Sequence, residues 1–304
     1  MFTLKQHSLI LLVCILVQGS TSAQQVADSA FTFPVKTPAY AAGTGTRIVL
    51  DEAHYNFHTL GGRYFSFGKV LEADGYVLQP GTHKFSDAYL DTLRLLVIAN
   101  ALADTGAWRL PARSGFTKEE VKALHDWVQQ GGSLFLIADH MPFPGVVSDI
   151  ARSFGFNMIN GFALKRGNSP EMYSRSRGNL LSNAITKGRW PEEQVDSVLL
   201  ITGQAFIAPQ AAGILTRLDT SYRVYLPQIA WEITDTTACM EPEGLVNGAC
   251  MEYGRGRIVM MGEAAMFSAQ LAGASRNKMG MNHPSAKQNA QLLLNIVHWL
   301  DRKL

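Results

Sequence analysis

The sequence predicts an α/β fold, a three-layer sandwich on a mostly parallel sheet, and three observations carry that reading. Short apolar runs bounded by glycine, such as Ser133-Leu-Phe-Leu-Ile-Ala138 and Ile258-Val-Met-Met-Gly262, have the unbroken apolarity of strands buried on both faces. They alternate with helical stretches at the spacing of strand–helix–strand units. Several end on polar residues: Asp51, followed by His54, Asn56 and His58; Asp139-His140; and Glu263, with Asn282-His283 in a loop just beyond. Open α/β sheets bind ligands outside the carboxyl ends of their strands, so this fold would bring all four stretches to one edge.

The elements follow in order. Residues 24–45 are polar and Ala-rich, end in Gly43-Thr-Gly45, and read as a linker. A strand at Arg47–Asp51 leads through a loop holding Gly61-Gly62 into a helix from Tyr64 to Ala73, with Phe67, Val70 and Leu71 on one face. Gly75–Leu78 is a short strand and Leu93–Ala99 a strong one. Thr117 and Glu120 form a capping box for the clearest helix, where Val121, Leu124 and Val128 recur at helical spacing and Gly131-Gly132 closes the end. Ser133–Ala138 is the next strand and Val146–Phe154 another helix. From Asn157 to Ala249 the pattern is less regular, with strands expected at Ser197–Thr202, Arg223–Leu226 and Ala230–Thr234. Arg257–Met261 returns to the buried-strand pattern. The last helix begins near Lys287, with Ala290, Leu293, Leu294, Val297 and Leu300 on its apolar face. One domain over residues 46–304 is more economical than two.

The N-terminus reads as a secretory signal peptide, residues 1–23: Lys5 precedes an apolar stretch from Leu9 to Val17, and Thr21-Ser22-Ala23 presents small residues at a cleavage site. The stretch is too short to span a bilayer, and no other is long or apolar enough. Cys14 lacks the preceding residues of a lipidation signal. The expectation is export to the periplasm or beyond. Loss of Lys5 takes the net charge from +2 to +1, a balance that points to neither nucleic acid nor a membrane surface. One local bias stands out: Lys165, Arg166, Arg175, Arg177, Lys187 and Arg189 face a single acid, Glu171. It reads as a solvated loop region or as a rim that attracts an anion. Cys239 and Cys250 remain after cleavage, and an even count in an oxidising compartment predicts a disulfide. Closing so short a loop, with its turn formers Pro242, Gly244 and Asn247-Gly248, would contribute roughly 2–3 kcal/mol.

Two chemistries suit the polar cluster. In the first, Asp51, His54, His58 and His283 hold a divalent transition metal (Zn²⁺, Fe²⁺, Mn²⁺ or Ni²⁺), since His54 and His58 would share one face of a helical turn. Asp139-His140 could complete the shell and Glu263 act as general base or further ligand. In the second, metal-free, Asp139, His140 and Glu263 polarise a water or a sugar hydroxyl while Asn56, Gln204 and Asn282 hold a polar ligand. Against both, Asp51 and Asp139 are natural caps for helices that follow their strands, and a single His is more often a hydrogen-bonded structural residue. Nucleophilic catalysis lacks support: there is no Gly-x-Ser-x-Gly elbow, and Ser268 lacks flanking glycines. Gly43-Thr-Gly45 precedes a strand, so it is no dinucleotide fingerprint.

Asp51-Glu-Ala-His54-Tyr-Asn56-Phe-His58-Thr, Gly62-Arg63-Tyr64 and Gly131-Gly-Ser-Leu-Phe-Leu-Ile-Ala-Asp139-His140-Met-Pro-Phe-Pro-Gly145 together resemble an exported bacterial family of uncharacterised function. It belongs with the class I glutamine amidotransferase-like superfamily, near its ThuA-like and gliding-motility-type branches. Gly254–Ser268 and the closing helix are similar to that group's last strand and helix, so the resemblance covers nearly all of residues 46–302. It implies a flavodoxin-like arrangement with a site at the strand ends around Asp139. It does not imply glutamine hydrolysis, because the turn after Ser133–Ala138 holds Asp139-His140 where amidotransferases have Cys, and His283-Pro284-Ser285 only echoes their His-Pro-Glu. The expectation is a hydrolase-like enzyme, metal-assisted in the first chemistry, acting on a small polar or carbohydrate ligand. The alternative is a non-catalytic module binding a glycan or a protein of the cell envelope.

Overall fold

The computed structural model describes residues 25–106, 108–167 and 171–304; the signal peptide expected at 1–23 lies outside them. The first half runs β1 (Gln25–Ala27), β2 (Arg47–Asp51), α1 (Phe65–Ala73), β3 (Val77–Gly81), α2 (Asp87–Leu90), β4 (Leu95–Ala99), α3 (Lys118–Gln130), β5 (Ser133–Ile137), α4 (Phe143–Val146) and α5 (Ser148–Ser153). The middle adds β6 (Asn157–Met158), β7 (Phe162–Lys165), β8 (Glu171–Ser174), α6 (Ala184–Lys187), β9 (Ser197–Leu200), β10 (Phe206–Ile207), β11 (Gly213–Arg217), β12 (Tyr222–Tyr225) and β13 (Cys239–Met240). The chain closes with β14 (Val246–Tyr253), β15 (Gly256–Met261), β16 (Ala269–Ala272), β17 (Asn277–Gly280) and α7 (Asn289–Leu300).

The fold is mixed α/β. In the 9-stranded main sheet, β3, β2, β4, β5 and β15 are neighbours and run parallel. β14 pairs antiparallel with β15; β10, β6 and the side strand β11 continue that antiparallel half. The sheet is therefore mixed where the sequence predicts one mostly parallel. Successive side chains of a strand go to opposite faces. Ile48, Leu50, Val97, Phe135 and Met261 accordingly enter one core, with Phe67 and Leu71 of α1 and Leu293 and Val297 of α7. Val49, Leu96, Leu134, Leu136 and Met260 enter another, with Leu124 and Val128 of α3 and Ile150 of α5. Burial on both faces is why these strands read as continuous apolar runs. The capping box forms: Thr117 Oγ1 accepts from Glu120 N at 3.2 Å and Glu120 Oε2 from Thr117 N at 3.0 Å. The helix stops at Gly131, whose φ of 128° lies where a side chain would be strained.

Elsewhere the sequence reading and the structure part. Residues 25–45 are built into the fold: β1 pairs with β16, and Phe31, Phe33 and Val35 pack on the core. Ala230–Thr234 forms no strand, because the chain turns at Trp231 with φ of 71°. β9 lies where a strand is expected but pairs with β8 outside the main sheet. Asn247-Gly248, read as a turn, sits inside β14. A Cβ on Gly248 would press on Met261 Sδ at 2.8 Å, so close strand packing explains that glycine. Cys239 and Cys250 are free cysteines, the first exposed in the small β13-β12-β7 sheet and the second buried in the main one. The expected disulfide is not made in this structure. No helix among the described residues is long and apolar enough to cross a membrane.

Gly256 marks where β15 starts against the end of α3. A Cβ there would overlap the backbone oxygens of Val128 and Gly132, which no side-chain rotation can relieve. Gly256→Ala should lower stability by at least about 1–3 kcal/mol, read from the midpoint of urea denaturation.

Candidate functional site

Parallel strands share their carboxyl edge, and polar residues end β2 (Asp51) or follow β4, β5 and β15 (Asn100, Asp139 and Glu263) there. The structure divides the expected cluster in two along this edge.

The first part is closed upon itself. His54 Nδ1 lies 2.9 Å from both carboxylate oxygens of Asp51, and its Nε2 lies 3.0 Å from Glu120 Oε1. Asn56 Nδ2 donates to Asp51 Oδ2 at 3.0 Å. The His54 ring is packed against Phe85 and Phe116, and His54 and Asp51 are fully buried. Burial pushes the Glu120 carboxyl up, but the Thr117 N–H, His54 and the Phe85 N–H outweigh it and hold the group below the usual range. Both ring nitrogens of His54 are thus spent on carboxylates, and Asn56 supports Asp51.

The second part surrounds the ends of β5 and β15. Between them, Phe57 N donates to Asn100 O at 2.9 Å, carrying the loop after β2 across the end of β4. This delivers His58 against the ring of Tyr64, with centroids 4.4 Å apart. Tyr64 in turn donates to Ala264 O at 3.0 Å, beside Glu263. Met261 is in register with Ile137, and Ala138 N donates to Met261 O at 3.0 Å, so Asp139 and Glu263 follow neighbouring strand ends. Asp139 Oδ1 accepts from His140 N at 2.8 Å; the Ala264 N–H and the Asn100 side chain also hold this carboxyl. Glu263 accepts from Ala265 N at 2.7 Å and Met266 N at 2.9 Å. Burial nevertheless raises the pKa of both acids, and the charge of Asp139 raises Glu263 further. Two carboxyl groups placed this way cannot both ionise cheaply.

The surrounding groups are set by the same environment. His58 is 2% exposed and neither ring nitrogen has a hydrogen-bond partner. Burial, then the charge of Arg63 and of His140, lowers its pKa to about 3, so the imidazole is neutral at physiological pH. His140 Nδ1 lies 2.8 Å from Met141 O. A carbonyl can only accept, so Nδ1 carries a proton, which leaves Nε2, an acceptor in the neutral ring, for a ligand. Gln204 donates from Nε2 to Ala138 O at 3.3 Å, its own N donates to Gly262 O at 2.9 Å, and its Oε1 is buried without a partner. Glu171 on β8 faces the acids too: burial, offset by the Tyr222 hydroxyl and Lys165 and reinforced by Asp139, pushes its carboxyl up to about 7.

The expected metal ligands do not converge. Asp51 and His54 belong to the closed cluster, His58 to the second, and His283 sits on a partly exposed turn where its Nδ1 accepts from Ser285 N. Among the described residues no group of three or more His, Cys, Asp or Glu could hold a metal ion. Asn282 is structural, donating to Asp28 Oδ2 at 2.9 Å and Gln270 O at 3.0 Å to fasten the N-terminal segment. The basic stretch is largely paired: Arg166 with Glu241, Arg175 with Asp196 and Arg189 with Glu193. Sequence reasoning missed Tyr64, Asn100 and Glu171. Asn100 follows a strand as Asp139 does, and Glu171 is the lone acid of the basic stretch, so both left a signal.

No family model matches the chain, and no curated protein matches it. Its fold is similar to that of the mmIFT52 N-terminal domain, with TM-score 0.59 and 14% identity over 84% of this chain and 97% of that one. A ThuA-like protein from Bacteroides uniformis superposes with TM-score 0.47 and 13% identity, covering 88% and 94%. A cytoplasmic protein from Salmonella typhimurium does so with 0.49 and 10%, covering 84% and 99%. The first likeness is one of fold alone, and the other two are too loose to add to it.

The unfolded chain protonates His58 near 6.5, while the folded one does so at about 3. Between these values the unfolded state binds more protons, so stability falls as pH falls, by about 1.4 kcal/mol per pH unit from this one group. In urea titrations across that window His58→Leu should lose stability less steeply than wild type. Parallel curves would mean that the imidazole is not held neutral.

Proposed function

We propose that the chain is an exported, hydrolase-like enzyme whose buried pair Asp139 and Glu263 works as general acid and base on a small polar or carbohydrate ligand. The observation that carries the reading is the placement of two fully desolvated carboxyls, without an Arg or Lys ion-pair partner among the described residues, at adjacent carboxyl ends of parallel strands. Burial and like charge favour keeping one proton between them, as in other paired-carboxyl sites. The ionised carboxyl takes a proton from water, whose oxygen forms the new bond. The protonated one gives its proton to the departing oxygen, and exchange with solvent restores the pair. His140, with its Nε2 lone pair, accepts from a ligand hydroxyl, and Gln204 lines the same edge. No metal step enters this mechanism, since His54 is committed to Asp51 and Glu120.

The same reading makes the chain a Cys-less member of the class I glutamine amidotransferase-like superfamily, with a three-layer, flavodoxin-like arrangement around its parallel strands. In support, helices cover both faces of those strands, and Asp139-His140 occupies the turn after β5. A binding-only role has one observation in its favour: backbone N–H groups already cap both carboxylates.

A panel of nitrophenyl esters and nitrophenyl glycosides, assayed with wild type, Asp139→Asn and Glu263→Gln, separates the two. Catalysis by the pair predicts turnover of at least one substrate and a loss of about 10²–10⁴-fold in either variant. Turnover unchanged in both folded variants, or no turnover across the panel, would leave the binding module.

A further inference from the structure

We propose that Trp231 and Trp108 form a stacking subsite for the apolar face of a neutral pyranose ring beside His140. The inference rests on the reading of the Asp139–Glu263 pair above and supplies its substrate class.

Trp231 is 56% exposed, and its φ of 71° is one that bulky residues rarely adopt. Its surroundings must therefore hold it there. The indole meets the His140 ring edge-on, with centroids 4.5 Å apart, and lies 4.6 Å from Phe162, which itself stacks on His140 at 4.8 Å. Trp108 also approaches His140, at 6.1 Å, braced by Phe143 at 5.2 Å and Phe57 at 5.6 Å. The loops that carry the two tryptophans are tied together: Ala230 N donates to Trp108 O at 2.8 Å and Leu110 N to Gln228 O at 2.9 Å. Trp190 is equally exposed but makes no ring contact among the described residues, so exposure alone does not single out Trp231.

The chemistry of the surroundings selects the ligand. A large indole kept out of the core offers a flat apolar surface with an N–H at its edge. Beside it lies the lone pair of His140 Nε2, and beyond that the acids. A pyranose presents a C–H face to the indole and hydroxyl donors to the acceptors. The carboxyls of Asp139, Glu263 and Glu171 oppose an anionic ligand.

The test uses the full chain with the methyl pyranosides of glucose, galactose and mannose, followed by tryptophan fluorescence and saturation-transfer NMR. At least one should bind saturably, with the strongest transfer to its ring C–H protons. Trp231→Ala and Trp108→Ala should weaken it about tenfold or more, Trp231→Phe should retain most of the affinity, and Trp190→Ala should change nothing. Equal affinity in Trp231→Ala, or no binding by any of the three sugars at millimolar concentration, overturns the subsite. Turnover of nitrophenyl esters lost in Glu263→Gln would still uphold the acid pair in that event. Sugar binding without any turnover would uphold the subsite and remove the catalytic reading.

Discussion

Two carboxyl groups that leave water together at neighbouring strand ends cannot both keep their charge. The register of β15 on β5 imposes that constraint, because it brings the residues just past each strand to the same level of the sheet. The backbone N–H groups of His140, Ala264, Ala265 and Met266 offset part of the cost of burying Asp139 and Glu263. Burial of both, and the charge of Asp139 on Glu263, still outweigh them, so protonation does the remaining work. Much around the pair answers to it: the Tyr64 hydroxyl ionises less readily for burial and for both acids, and Glu171 is pushed up partly by Asp139.

The sheet edge thus carries two acid–histidine clusters with opposite chemistry. Around His54 every strong donor and acceptor is paired, and the cluster ties the loop after β2 to the capping box of α3 through Glu120. Such a fully satisfied buried network favours a single arrangement of the chain and leaves nothing for a ligand. Around Asp139 the pairing is incomplete. His58 has two unpartnered nitrogens and Gln204 an unpartnered oxygen. Unsatisfied polar groups in a core cost stability, and those of His58 and Gln204 lie beside the buried acids, where the His54 cluster has none.

The parallel half of the sheet was legible because its signals are local. β2, β4, β5 and β15 are apolar runs, and the capping box at Thr117 and Glu120 is a short-range pattern. The antiparallel half was not, since β14 contains Asn247-Gly248, whose local preference is for a turn and whose place in the strand depends on β11 and β15. The gathering of Asp139, His140 and Glu263 at neighbouring strand ends was legible, because each follows an apolar run. The division of the expected cluster in two was not. The spacing of His54 and His58 suggests one helical face, but the segment is an irregular loop with Tyr55 at positive φ, so one imidazole turns toward Asp51 and the other toward Tyr64. Trp108 and Trp231 are far apart in sequence, and their paired loops bring both to His140.

The distribution of cations explains why protonation, rather than ion pairing, balances the acids. Arg166 and Arg223 share Glu241, Arg175 is held by Asp196 and backbone carbonyls, and Arg189 grips Glu193. Arg63 lies over the Phe57 ring at 3.9 Å, close enough to His58 to oppose its protonation. Of the nearest imidazoles, His58 stays neutral down to about pH 3 and supplies no counter-charge, while the charge of His140 opposes the rise of Asp139 without cancelling it. A salt-bridged pair would stay ionised and be a poor proton donor. In the proposed reaction, a pair without a fixed cation retains the proton that a salt-bridged pair would lose, and that proton is the one given to the departing oxygen.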